Sequence, residues 1–558
     1  MDTPIASLHY LLQCVHVPFK IDPAIFLAYR EEQIVHRRTF LATGLAALAT
    51  LRSSATLGRG TLQVAGSHVA PASQNAIAAL VRKRAEALSR RAFEAPSETL
   101  PAAMATMGYD EYRDLRFRPE RAIWRGEDSG FELQLFPSAY IYRSPVEIFL
   151  VENDLIRPLN AERALFDFGP QHSKVPLNAP LSFSGFRIHA PLKRPDYYDE
   201  LLTFQGASYF RGLGKNHSYG LSARALALNT EGPEPEEFPL FRSFWIERPK
   251  DQRSLVVHGL LDSPSVTGAY TFAIAPGAAT VMDVDARIFP RRDLSKVGFA
   301  PLTSMFLKDT HDNDGPADFR PAIHDSDGFA TWNGRGEHLW RPIVNPPEVQ
   351  TSCFVDTDPK GFGLIQRGRK FADYEDLEAH YQERPSTWIE PKGNWGPGCA
   401  QLVEIPTRAE YFDNIVAFWR PDAALLAGHA YSIGYRLTWC DDVQAWNGYR
   451  VGKTRIGEGV RAGTVRFVVD FLDSRGSKLE QVAAVGLAGV PLRPLPDADF
   501  SSSAGVIGNR LMQRNPDTGG IRVTFEFDPQ NGKESDLRLA LSVNAEPTSE
   551  VWLFRWRP

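Results

Sequence analysis

The chain has 558 residues, 43% of them hydrophobic and 23% charged, and its 62 basic against 67 acidic side chains leave a net charge of -5. That length supports two or more domains with substantial cores. A slightly acidic chain without basic clusters excludes nucleic acid as a partner, because phosphate binding needs concentrated Lys and Arg.

Residues 1–34 have a mixed, unpatterned composition and are read as an upstream extension foreign to the working protein, with Val35 fitting a start codon. His36, Arg37, Arg38, Thr39, Phe40 and Leu41 then lead into the short apolar run Leu41 to Leu51. A paired arginine, Phe-Leu and a weakly apolar segment form the twin-arginine export pattern, which predicts delivery of a folded protein to the bacterial periplasm. The signal region is taken as 35–72, with cleavage after Ala70-Pro71-Ala72. The run falls short of the roughly 20 apolar residues of a membrane helix, and no other stretch reaches that length, so no stable membrane insertion is expected.

Apolar residues Ile77, Leu80, Val81 and Leu88 predict a helix over Ala76 to Ala92, and a second is expected from Phe371 to Arg384, stopped by Pro385. Elsewhere the period is two. Phe131 to Leu135, Val465 to Phe471, Ile521 to Phe527 and Val551 to Trp556 alternate as strands do. The chain is therefore expected to be all-β and sandwich-like. A boundary falls near Arg420-Pro421-Asp422, separating a large sandwich over 73–420 from an immunoglobulin-like sandwich over 421–558 with a polar loop between Pro494 and Gly520.

Cys14 lies in the upstream extension, which leaves Cys353, Cys399 and Cys440 without metal-type spacing. They permit at most one disulfide, and three small buried hydrophobes is the preferred expectation. The segment from Asp309 to Gly315 resembles a calcium loop briefly, but Thr310 falls at the first ligand position and Pro321 where the bidentate Glu belongs, so a solvated acidic loop is expected. No metal or cofactor is expected. There is no HExxH, no Gly-x-Ser-x-Gly, no phosphate loop and no dinucleotide fingerprint.

What remains is carboxylates among aromatics. Asp325 and Asp327 lie near Trp332 and Trp340, and Glu410 and Asp413 precede the apolar strand Ile415 to Trp419. Glycosidic cleavage needs a proton donor for the leaving oxygen and a base for the nucleophile, while aromatic faces hold sugar rings. The residues alone also fit turns and loop tips.

From about residue 75 to the C-terminus the chain resembles the periplasmic glucan biosynthesis proteins G and D, and most of all the D branch. The resemblance runs through Phe204-Gln-Gly-Ala-Ser-Tyr-Phe210, Tyr219-Gly-Leu-Ser-Ala-Arg224, Thr267-Gly-Ala-Tyr270, Ala300-Pro-Leu-Thr-Ser-Met-Phe306, Ile323-His-Asp-Ser-Asp327, Trp388-Ile-Glu-Pro391 and Asp413-Asn-Ile415. It implies a large galactose-mutarotase-like β-sandwich followed by an immunoglobulin-like β-sandwich. It also implies action on the β-1,2-linked backbone of osmoregulated periplasmic glucans, with inversion at the anomeric carbon.

Carried over by position, Asp413 matches the family's general acid and Asp325 its general base, while Tyr381, Arg384 and Glu410 match residues lining the cleft. Trp388 and Trp395 are added as stacking candidates. Asp413 must then hold a proton near neutral pH and Asp325 must stay ionised. Water as nucleophile makes an endo-β-1,2-glucanase; another glucose hydroxyl makes a transglycosylase, and transfer onto a 6-hydroxyl of the same chain closes an α-1,6-linked ring. The leaning is to transfer. A non-catalytic glucan-binding scaffold is the competing class. The glucan is the expected partner, and a homodimer the expected assembly.

Overall fold

The computed structural model describes residues 74–558 apart from 99, 154, 172–173, 231–233, 313–316, 444–447, 474–494, 531 and 533. The twin-arginine segment, the upstream extension and the expected cleavage site lie outside the described residues.

The alternating segments are strands, among them Glu132–Pro137, Val465–Asp473, Ile521–Asp528 and Val551–Trp556. In Val465–Asp473 the rings of Phe467 and Phe471 and the side chain of Val469 are buried, whereas Val468 between them is half-buried. That is the period of a strand with one face on a core.

The fold is all-β and built from packed sheets. A ten-stranded sheet runs from Glu132–Pro137 through Tyr197–Gln205, Tyr209–Gly212, Ser222–Arg224, Val297–Ser304 and Ile415–Pro421 to Gln350–Thr357. A larger sheet faces it, with Leu240–Glu247, Leu255–Asp262, Val266–Ala275, Thr280–Pro290 and Tyr431–Cys440 as consecutive neighbours. Phe204, Phe210, Leu302 and Trp419 from the first sheet and Phe244, Phe272, Val284 and Leu437 from the second share one core. Phe204 meets Phe244 and Phe272 edge-on at 5.3 and 5.1 Å, a geometry that adds to plain burial.

The expected N-terminal helix is Gln74–Ser89. Its Ile77, Val81 and Ala85 pack with Trp245, Leu260 and Phe289 of the second sheet. The second expected helix is absent. Residues 371–384 hold only the short turns Phe371–Asp373 and Tyr381–Glu383, because Asp376 accepts the backbone N–H groups of Glu378 and Ala379 and so offers the chain an alternative to helix.

Beyond residue 440 a second core holds Phe467, Phe525, Phe527, Leu539 and Trp552. Around it stand a four-stranded sheet, Tyr449–Glu458, Val465–Asp473, Ile521–Asp528 and Val506–Arg514, and the strands Asp497–Ser502, Ser535–Val543 and Val551–Trp556. Leu339 and Trp340 pair in parallel with Val551 and Trp552 and join these strands to the larger sheet of the first sandwich.

Three further sequence expectations change. The polar stretch between Pro494 and Gly520 contains the strands Asp497–Ser502 and Val506–Arg514; both lie at sheet edges with outward side chains that are mostly polar, Val506 and Leu511 excepted, which hides them in the sequence. Cys353 and Cys399 form a disulfide across adjacent strands, and Cys353 is exposed; only Cys440 is free and buried among the described cysteines. Their diagonal placement, with Val355 opposite Cys399, depends on a register that spacing does not reveal. The strand Tyr431–Cys440 belongs to the first sandwich, between Thr280–Pro290 and Ser386–Pro391, so we propose that the division of the chain lies between Cys440 and Tyr449 and not at residue 420.

Candidate active site

Strands Tyr209–Gly212 and Ser222–Arg224 pair antiparallel, with Tyr209 opposite Arg224 and Phe210 opposite Ala223. Alternation sends Phe210 and Ala223 into the core and turns Tyr209, Arg211 and Arg224 to the other face. There Asp413 arrives from the turn before Ile415–Pro421. Its neighbour Asn414 fixes that turn: the side-chain oxygen accepts the N–H of Phe306 at 2.8 Å, and the side-chain nitrogen donates to the carbonyls of Phe306 at 3.0 Å and Ile405 at 2.8 Å. A buried amide thus stands in for a missing strand partner.

Asp413 is 7% exposed, with Oδ2 at 3.6 Å from Nη2 of Arg211. Burial is the largest influence on its carboxyl and raises the pKa; the guanidinium groups of Arg211, Arg384 and Arg224 oppose the rise without reversing it.

Asp325 follows the two-residue strand Ile323–His324, and its N–H donates to the Met305 carbonyl at 2.8 Å. Its carboxylate is wholly buried. Oδ1 pairs with Nη1 of Arg384, while Oδ2 takes no hydrogen bond from the protein. Arg384 lies 4.0 Å over the Tyr381 ring, and the Tyr381 hydroxyl donates to Glu410 at 2.8 Å. Arg320 in turn binds Glu410 and Asp376, each at 2.7 Å, and Asp318 at 2.9 Å.

A short relay joins the two aspartates. Arg211 Nη1 donates to the Gly220 carbonyl at 2.6 Å, and Gly220 lies so close to Arg384 that a Cβ there would stand 2.9 Å from the arginine's own Cβ.

Asp413, Asp325, Arg384, Tyr381 and Glu410 therefore come together through direct contacts and shared arginines. The two tryptophans do not join them. Trp388 is turned away from the core that holds Ile389 and packs over Gly361 and Gly363 against the C-terminal sandwich. Trp395 packs on Phe299, Trp419 and Tyr435, at the far end of the strand that follows Asp413. Trp340 is likewise buried, under the Arg367 guanidinium at 3.5 Å. The Asp309 segment also differs from the solvated loop expected, since the Asp309 carboxylate is held between His311 at 3.4 Å and His324 at 3.8 Å.

Arg211, Arg224 and Arg320 were not legible as site residues. For Arg211 the signal was present, because it shares period-two parity with Tyr209 beside the core residue Phe210. Arg320 binds partners 56 and 90 residues away, which no local pattern records.

The packed β-sheets thus gather a buried carboxyl with a raised pKa and an arginine-paired carboxylate around Arg384. The family model for "periplasmic glucan biosynthesis protein, MdoG" matches residues 77–556, and the chain belongs to that family. A "glucans biosynthesis protein G" of Vibrio cholerae serotype O1 is 45% identical over 483 residues, covering 85% of this chain and 86% of that one. Another, of Shewanella sp. strain MR-4, is 47% identical over 481 residues with the same coverage. Both bear the G name, so the leaning to the D branch rests on the sequence resemblance alone. A polysaccharide lyase of solved structure aligns at 11% identity and a TM-score of 0.19, covering 65% of this chain and 43% of that one, too low to carry an argument. Membership places the protein in the periplasm and in glucan biosynthesis.

Proposed function

We propose that this protein is an enzyme acting on a β-1,2-linked glucan backbone by inversion, with Asp413 as general acid and Asp325 as general base. The observation that carries this reading is the opposite treatment of two buried carboxyls. Asp413 is pushed toward its protonated form by burial, whereas the wholly buried Asp325 carboxylate is ion-paired with the buried Arg384 guanidinium. A binding module needs hydrogen bonders and aromatics but no such pair.

Asp413 would protonate the leaving glycosidic oxygen. Asp325 would draw the proton from the attacking hydroxyl on the far face of the sugar, directly or through a substrate hydroxyl. Tyr381, Arg384 and Glu410 would hold that base and the cleft wall in place. We favour transfer, including α-1,6 closure of a linear chain, over hydrolysis by an endo-β-1,2-glucanase, because a biosynthetic protein is better explained by reshaping its glucan than by shortening it. Twin-arginine export and the assignment of the two sandwiches as galactose-mutarotase-like and immunoglobulin-like belong to the same proposal.

The test is incubation of the purified protein with linear β-1,2-glucan, followed by mass analysis. Rings lighter than the linear chain by one water indicate cyclising transfer, and shorter chains with new reducing ends indicate hydrolysis. Unchanged glucan sinks the enzyme reading and leaves the scaffold.

A further inference from the structure

Three guanidinium groups act on Asp413, those of Arg211, Arg384 and Arg224. Two of them already hold a carboxylate of their own: Arg384 pairs with Asp325, and Arg224 pairs with Glu236 at 2.6 Å. Arg211 donates instead to the neutral carbonyl of Gly220. Asp413 is thus a carboxyl among cations, and a full ion pair with any of them would hold it in its charged form.

The chain builds Glu236 into this arrangement. Strand Leu226–Leu228 follows Arg224, Asn229 turns at a φ of +59°, and the N–H of Glu237 returns to the Leu228 carbonyl at 3.1 Å, which closes a loop. Across that loop the Thr230 hydroxyl donates to Oε1 of Glu236 at 2.7 Å, the same oxygen that accepts from Nη1 of Arg224. The next residue, Glu237, turns elsewhere, to Ser265 and Arg292. Arg224 itself is buried, with its guanidinium 5.5 Å from the centre of the Tyr209 ring and 5.7 Å from that of Phe238. Its Nε and Nη2 make no hydrogen bond with the protein. A buried cation with donors to spare takes up a second carboxylate readily unless its charge is already matched.

We infer that Glu236 is a positioning residue for the general acid: its carboxylate matches the charge of Arg224 and keeps that guanidinium from taking Asp413 as an ion-pair partner. The consequence for turnover rests on the reading of Asp413 as the acid given above, whereas the choice of partner by Arg224 does not. Tyr209, which shares this face with Arg224, stays neutral because burial pushes its hydroxyl well above the ordinary 10. Asp325 reaches Asp413 only through Arg384, which it already neutralises.

The experiment is a pair of pH titrations. In the first, made without glucan, the unfolding free energy of each protein is compared with that of its own Asp413→Asn counterpart. The difference falls as pH rises and levels off at the folded pKa of Asp413, since above it the folded and unfolded states are both ionised. Glu236→Gln frees a cation beside Asp413 and should move the levelling point down by about one pH unit or more, whereas Arg224→Met removes that cation and should move it up. Glu236→Asp keeps the charge and should stay nearer the parent than Glu236→Gln does. In the second titration, the alkaline limb of glucan conversion should follow the levelling point, each unit of downward shift slowing turnover about tenfold above the limb. A merely structural role would lower stability and leave the levelling point in place. The inference is overturned if the point is unmoved in either variant or moves the same way in both; should Glu236→Gln not fold, an unmoved point in Arg224→Met overturns it alone. Glucan left unconverted by every protein, with the levelling points moving as stated, would keep this inference and count against the active-site reading.

Discussion

Arg384 and Asp325 form an ion pair in which neither side chain is more than 1% exposed. Removing one member of such a pair leaves the other charged and unmatched in a medium that solvates it poorly. Arg384→Ala is therefore expected to destabilise the fold by about 3–5 kcal/mol and to abolish turnover. Chemical denaturation measures the first and glucan conversion the second. The double variant Arg384→Ala/Asp325→Ala should lose less stability than the sum of the two single changes, since the stranded charge is gone; strict additivity would mean that the contact carries no coupling.

Asp413→Asn keeps the shape of the side chain and removes its proton. Turnover should fall by roughly 10²–10⁴-fold with glucan affinity nearly unchanged, as for the loss of a general acid. The pH profile of the parent protein follows from the direction of its shift. A carboxyl whose folded pKa lies above the ordinary 3.8 stays protonated further up the pH scale, so activity should decline as pH rises through that raised value. Stability linked to the same group declines over the same rise, because the folded state binds the extra proton there. An activity that climbs with pH across that range would reassign the acid.

Gly220 tests the relay between the two carboxyls. A methyl group there meets the Cβ of Arg384 at 2.9 Å, a root atom that cannot swing aside. Gly220→Ala should cost about 1–3 kcal/mol, as overpacking does, and should lower turnover more than affinity by displacing Arg384 from Asp325. Thermal melts together with separate kcat and KM values would expose a purely structural effect as a loss of stability with normal kcat.

Local signals carried much of the architecture. Phe467, Val469 and Phe471 announce their strand because burial of one face writes a two-residue period into the sequence. Asp413 and Asp325 stand out from other aspartates only through blocks of family resemblance, since an aspartate before a strand looks the same whether it turns the chain or donates a proton. What stayed hidden depends on partners distant in sequence. The Cys353–Cys399 bond needs the register of two strands 46 residues apart. The Arg320 hub needs three loops to meet, and the role expected of Trp388 failed because the parity of its strand turns the ring toward the second sandwich. Residues 371–384 have the composition of a helix and lose it to the backbone bonds of Asp376.

The pair formed by Asp309 and His311 should make stability pH-dependent on the alkaline side. For His311, burial is the largest influence and lowers its pKa, but the hydrogen bond and charge of Asp309, with help from the Ile343 carbonyl and Asp312, outweigh it and raise the net value. For Asp309, burial likewise acts first and upward, and His311 with His324 overcomes it to hold the carboxyl well below the usual range. A histidine with a raised folded pKa contributes stability that is complete below its ordinary 6.5 and is lost as pH climbs through the raised value. His324 has the opposite shift, since burial lowers its pKa, so it resists protonation and costs stability as pH falls below 6.5. Asp309→Asn should remove about 3–5 kcal/mol at near-neutral pH and flatten the alkaline decline, because His311 then loses its main charge partner and keeps only the weaker influence of Asp312. Denaturation midpoints measured from pH 6 to 9 check both parts. A variant whose midpoint keeps the parent's slope above the ordinary histidine pKa would show that His311 is not the titrating group.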